Sequence, residues 1–145
     1  MNEIEKQLFA EYTDNYYIEA KSYELLGKML NEQFVVNRLK LFNIVNAYIY
    51  GGTYMATQLF RASKNHVNIV GVVDKMNRMM IDENVKVLTV DELKNIYNGE
   101  KIIITLPRFY SEIKSVLIEF VDEENIIYIG ELLEGIIEQI GEKQE

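Results

Sequence analysis

The sequence predicts an α/β fold, a parallel sheet covered by helices, and three observations carry the prediction. Short apolar runs, "AYIY", "VNIVGVV", "VKVL", "KIIIT" and "NIIYI", are continuous rather than alternating, the mark of strands buried on both faces. Helical segments alternate with these runs. The first run ends on the turn Gly51-Gly52, directly ahead of a helical pattern.

Residues 1–45 read as helices. Ile4, Leu8 and Phe9, then Ile18, Leu25, Leu26, Met29 and Leu30, recur at helical spacing. "TDN" at 13–15 predicts a break, with Asp14 or Asn15 capping a second helix, and a shorter helix follows from Gln33 to Phe42. The tyrosines of this region, Tyr12, Tyr16, Tyr17 and Tyr23, suit packing against a neighbour better than lining a pocket. No strand signal precedes Ala47. After the first strand a helix is expected over Tyr54 to Ala62. Another, Val90 to Tyr97, opens on "TVDE", where Thr89 and Glu92 have capping-box spacing. Phe109, Ile113, Val116, Leu117 and Phe120 stripe the next helix; Leu132, Leu133, Ile136, Ile137 and Ile140 stripe the last, with Glu134 and Glu138 opposite.

This order gives a Rossmann-like half with a sheet order near 3-2-1-4-5. Two regions follow: an N-terminal helical extension over 1–45 and the Rossmann-like domain over 46–145. The 145 residues suffice for one domain with a hydrophobic core. With 48% hydrophobic and 26% charged residues, the composition is that of a globular protein. No stretch approaches the roughly 18 apolar residues of a membrane span, and "MNEIEKQLF" lacks a signal-peptide core, so a cytoplasmic protein is expected. The absence of cysteine excludes disulfides, thiolate metal sites and thiol nucleophiles, and the single histidine, His66, excludes a histidine-rich metal site. Of the net charge of −8, residues 121–145 carry −7. The body is therefore near neutral and does not repel a phosphate-bearing small molecule. No basic stripe exists to neutralise a nucleic-acid backbone.

In such a sheet, ligands bind at the carboxyl ends of the strands, beside the switch point between the first and fourth. Three groups fall there. The turn Gly51-Gly52-Thr53-Tyr54-Met55-Ala56 is the first. In the dinucleotide fingerprint the glycines serve a tight turn, close approach to pyrophosphate, and helix–strand packing. Gly51 fills the first place and Ala56 the third, while Thr53 holds the second. Its β-branched side chain stands in the way of a pyrophosphate, although its hydroxyl suits a single phosphate; equally, the turn serves simply to start a helix. Asp74, followed by Lys75 in "VVDK", lies 23 residues after Gly51. It reads either as an acceptor for ribose hydroxyls or as a solvated turn aspartate. The third group is "TLPRFY": Thr105, Pro107 opening a helix, and Arg108, which either meets an anion or faces solvent. Met76, Met79 and Met80 form a flap over the site or fill a core edge. His66 belongs to a surface loop at the opposite edge of the sheet.

These segments also carry a resemblance. "YIYGGTYMATQLF", "NIVGVVDK", "VKVLTVDELK" and "IIITLPRFYSEIKSVL" resemble the small Rossmann-like domains of bacterial surface-glycan proteins. Those are the N-terminal nucleotide-sugar-binding domain of the sialic-acid O-acetyltransferase type and the modules of capsule and teichoic-acid loci. The likeness covers about residues 47–129, and "YELLGKML" extends it towards residue 20. Such domains show aromatic-Gly-Ala-Gly at the turn, an Asp ending the second strand, and "Pro…EI" after the fourth. Tyr50, Gly51, Asp74, Pro107, Glu112 and Ile113 match, and Thr53 departs. The resemblance implies a nucleotide or nucleotide-sugar ligand in polysaccharide biosynthesis. The left-handed β-helix of the acetyltransferases has no counterpart here, so acetyl transfer is not expected.

The expected function is therefore a non-catalytic module that binds, or formerly bound, a nucleotide or nucleotide-sugar. Two alternatives stand beside it: a structural protein with a degenerate site that dimerises through its helices, and a small NAD-dependent oxidoreductase. Against the last, no Tyr-x-x-x-Lys pair follows a strand end, and little chain remains to build a pocket facing a nicotinamide. No metal and no catalytic residue is expected. A homodimer is, because the apolar stripes of residues 1–45 exceed what one side of a small sheet covers.

If the Thr53 side chain blocks the pyrophosphate, Thr53→Gly should strengthen NAD binding. The gain expected is one or two hydrogen bonds to a charged group, at about 1.5–3 kcal/mol each. Calorimetric titration of both proteins with NAD checks this; tight binding by the wild type would show that Thr53 is tolerated.

Overall fold

A computed structural model describes residues 2–51, 54–74, 85–106 and 108–135. Helices α1 (Glu3–Met29) and α2 (Glu32–Leu41) precede strand β1 (Asn46–Tyr50). Then come α3 (Tyr54–Ser63), β2 (Asn68–Val73), β3 (Val87–Leu88), α4 (Val90–Ile96), β4 (Lys101–Ile104) and α5 (Tyr110–Leu117). A 3-10 turn, Glu123–Asn125, leads into β5 (Ile126–Tyr128) and α6 (Ile129–Glu134). The strands form one sheet in the order β3-β2-β1-β4-β5, and every neighbouring pair is parallel. This is the order the sequence predicts.

Side-chain alternation explains why the strands read as unbroken apolar runs. Ala47, Ile49, Val72, Ile103 and Ile127 face one layer, packing with Leu25 and Met29 of α1, Val35 and Leu39 of α2, Leu59 of α3 and Leu132 of α6. Tyr48, Tyr50, Val73, Ile102, Ile104 and Ile126 face the other, against Leu93 of α4 and Ile113 and Leu117 of α5. The chain steps from β1 to β2 in one direction and from β3 back past β1 to β4 in the other. Right-handed crossovers then place α3 on one face and α4 and α5 on the opposite face.

Helix α1 corrects one expectation. It runs unbroken through 13–15, where the sequence predicts a break. Isolated Asp and Asn residues cost a helix interior only a few tenths of a kcal/mol, roughly, whereas a break sacrifices backbone bonds and requires a second nucleation. The N-cap is instead Asn2, in a capping box with Glu5, and Asn31 caps α2. The Thr89–Glu92 box at α4 forms as the sequence indicates. Tyr17 and Tyr23 are exposed rather than packed against a neighbour, because α1 turns Leu25 and Met29 to the core. Helix α5 buries Ile113 and Leu117 but not Phe109 or Val116, and Phe120 packs beyond its end, edge-on to Tyr97. The stripe residues Ile136, Ile137 and Ile140 lie outside the described residues, as do Met76, Met79 and Met80.

Polar contacts fix the N-terminal helices to the far end of the chain. Buried Arg38 of α2 donates through Nε to the Leu132 carbonyl and through Nη2 to that of Gly135, both at 2.7 Å. A cation thus meets the unpaired carbonyls at the C-terminus of α6, where the helix dipole favours it. Glu134 takes ion pairs from both Lys21 and Lys28 of α1. The Lys21 hydrogen bond, then that of Lys28, holds its carboxyl below the usual range.

Arg38→Met keeps the apolar stem and removes the donors, leaving buried carbonyls unpaired. We expect a loss of about 3 kcal/mol in urea unfolding, against about 0.5 kcal/mol or less for exposed Lys40→Met on the same helix. Equal effects would show that Arg38 acts only through its stem.

Candidate functional site

The carboxyl edge of the sheet is organised by one crossing. The carbonyl of Tyr50, at the end of β1, accepts from both the Thr105 N–H at 3.0 Å and the Thr105 hydroxyl at 2.9 Å. Gly51 follows with φ +125°, and its N–H donates to the Val73 carbonyl at 2.8 Å. A Cβ added to Gly51 would stand 2.5 Å from the Thr105 hydroxyl oxygen and 3.2 Å from Leu106. Both the backbone angle and the space therefore require glycine at this position. Because β1, β2 and β4 are tied together here, the loops that leave them must spread apart, and a cleft opens between α4 and α5.

That cleft measures about 740 Å³ and is lined by Tyr50, Gly51, Asp74, Thr89, Val90, Asp91, Leu106, Phe109, Glu112, Ile113 and Val116. Of the candidate ligand contacts, Gly51 and Asp74 meet in it, and Tyr50, Glu112 and Ile113, which carry part of the resemblance, line it too. Asp74 is half-buried at the end of β2, where its N–H donates to the Leu88 carbonyl at 2.9 Å. The others are placed elsewhere. Thr105 is fully buried, with its hydroxyl spent on Tyr50. Met55 is packed in the core beneath α1 and α2, and Tyr54 is exposed at the start of α3. Arg108 is exposed and lines no part of the cleft. Gly52, Thr53, Lys75 and Pro107 lie outside the described residues. His66 sits in the exposed turn before β2, at the opposite end of the strands.

Sequence reasoning missed the walls. Val90 and Asp91 come from the first turn of α4, Phe109 from the cap of α5 and Val116 from its last turn. Phe109 and Val116 are 47% and 46% exposed although they sit in a helical apolar stripe. The available signal was that stripe's length: its five apolar residues run from Phe109 to Phe120, past both ends of the eight-residue helix.

The cleft is apolar along its walls and acidic at its polar positions. Asp74, Asp91 and Glu112 line it, with no lysine, arginine or histidine among the described lining residues. Tyr50 is 8% exposed, and its ring belongs to the cluster on the α4/α5 face, from which the cleft opens. Burial, then the charge of Asp74, pushes the Tyr50 phenol up, so the hydroxyl remains a donor at neutral pH. Among the described residues no cluster of His, Cys, Asp and Glu suits a metal ion, and no helix is long and apolar enough to cross a membrane. A second hollow of about 540 Å³ flanks β5 and carries both signs of charge, with Lys114 paired to Glu123 at 2.6 Å.

No family model matches the chain, and no curated protein or solved structure is significantly similar to it.

Gly51→Ala should destabilise the fold by about 2–4 kcal/mol, through a strained φ and the clash with Thr105. Thr105→Ala removes the clashing oxygen, so the double variant should cost less than the two single costs added. Chemical denaturation of the four proteins measures the coupling, and strict additivity would show that the two residues do not meet.

Proposed function

We propose that this chain is a Rossmann-like module that binds a nucleotide or nucleotide-sugar, without chemistry of its own, in bacterial surface-glycan biosynthesis. The observation that carries the reading is the cleft beside the switch point of a parallel sheet, the position at which this architecture accepts ligands. Asp74 supports contact with the hydroxyls of a ribose or a sugar. Val90, Leu106 and Phe109 offer apolar surface to a planar ring. Likeness to glycan-locus domains over residues 47–129 supports the setting.

The exposed face of α1 supports a homodimer. Ile4 and Leu8, one helical turn apart on one face of α1, are 70% and 60% exposed. Burying such a stripe against a second copy is favourable at roughly 25 cal/mol per Å².

Calorimetry with a uridine diphosphate sugar should give a saturable isotherm that Asp74→Asn weakens about tenfold, the loss of one charge-assisted hydrogen bond. No heat with either uridine diphosphate glucose or NAD overturns the binding reading. For assembly, light scattering at micromolar concentration should give twice the chain mass, and Ile4→Glu with Leu8→Glu should halve it. A wild-type monomer contradicts the dimer.

A further inference from the structure

Helix α1 is longer than the body that supports it. Residues 2–10 are exposed without exception, so the first turns of the helix project clear of the described body. Burial belongs to the other end, where Ile18 and Ser22 are half-buried and Leu25 and Met29 are at 0% and 1% exposure. There α1 rests on α2, α3 and α6, and Lys21 and Lys28 pair with Glu134. From Glu3 to Ile18 the helix rises about 22 Å at 1.5 Å per residue. A helix of that length is marginal in water by itself and draws its stability from packing one face.

The face that projects is also the face that packs. On a helix of 3.6 residues per turn, Ile4, Leu8, Ile18, Ser22, Leu25 and Met29 fall within one sector of about 100°. Their separations are three, four or sums of the two, the seam of a helix that packs lengthwise on another helix. The seam meets the core at Leu25 and Met29 and runs out to exposed Ile4 and Leu8. Whatever covers Ile4 and Leu8 therefore lies on the same side of α1 as the body, in the angle between the projecting turns and the body's edge. A helix, about 10 Å across, fits that angle, whereas the flank of a whole domain does not reach into it. Among the described helices, α1 alone offers such a projecting stretch.

We propose that two copies of the chain interlock through α1. The projecting turns run antiparallel, each seated in the angle of the other, with Ile4 and Leu8 of one copy against the seam of the second near Ile18 and Ser22. A parallel pairing would drive the two bodies together, since both lie on the seam side at the same end of the helix. The antiparallel pairing sets them at opposite ends, and its two-fold symmetry closes the assembly at two copies. This rests on the homodimer reading and specifies how the copies meet. Like charges oppose the pairing, because residues 1–20 carry five acids and one base. Association should therefore tighten as salt screens them.

The chain has no cysteine, so a single introduced one carries a spin label unambiguously. Glu3→Cys and Tyr23→Cys label exposed positions off the seam, at the tip and the root of the projecting stretch. Pulsed electron paramagnetic resonance should give about 30 Å between copies for either label alone, the rise between the two positions at 1.5 Å per residue. An equimolar mixture should add a tip-to-root separation below about 20 Å. Light scattering of the same samples supplies the mass. A dimer with its two tips within about 15 Å, or with no defined distance between them, overturns the interlocked pairing and leaves the dimer standing. Weaker association at high salt marks a contact held by opposite charges and also overturns the pairing. A monomer mass for the wild type overturns both.

Discussion

The double hydrogen bond from Thr105 to the Tyr50 carbonyl closes the β1–β4 ladder at its carboxyl end, where the chain reverses direction. It spans β1 and β4, neighbouring strands from which the connections lead away on opposite sides. Gly51 is its consequence: with Thr105 Oγ1 drawn over the end of β1, the next residue has neither room for a Cβ nor an ordinary φ. Tight closure at this point forces ligand space to one side. The cleft consequently lies over the α4/α5 face and is walled by the first turns of those helices.

That placement changes what the glycine turn does. In the dinucleotide fingerprint the turn and the following helix confront the pyrophosphate directly. Here the described part of the turn serves strand closure, and the first helical residues, Tyr54 and Met55, point respectively to solvent and to core. The polar chemistry of the cleft comes instead from Asp74, Asp91, Glu112 and Tyr50. The net acidity of the chain is concentrated in residues 121–145 and so does not account for it; these carboxylates lie elsewhere.

Much of the architecture was legible because burial on both faces leaves a strong trace. Ile102, Ile103 and Ile104 in succession have no amphipathic alternative, and the capping box at Thr89 fixes where α4 starts. The break expected at Thr13–Asn15 was misread because residues that favour caps are also tolerated within a long helix. Gly51 and Asp74 could be assigned to the cleft from strand ends alone. Thr105 could not be assigned correctly: a hydroxyl at a strand end reads as a ligand contact, and only three-dimensional crossing shows it turned onto Tyr50. Phe109 and Val116 were hidden for a related reason, since a wall of a cleft and a wall of a core carry the same apolar spacing.

The central claim is that ligand enters the cleft over α4 and α5 rather than lying along the start of α3. Amide-resolved NMR during titration with a nucleoside-containing ligand reads this directly. The largest shifts should fall at Gly51, Asp74, Val90, Asp91, Phe109 and Glu112, with His66 and its turn unmoved. Shifts confined to the first turn of α3, with α4 and α5 silent, would contradict it.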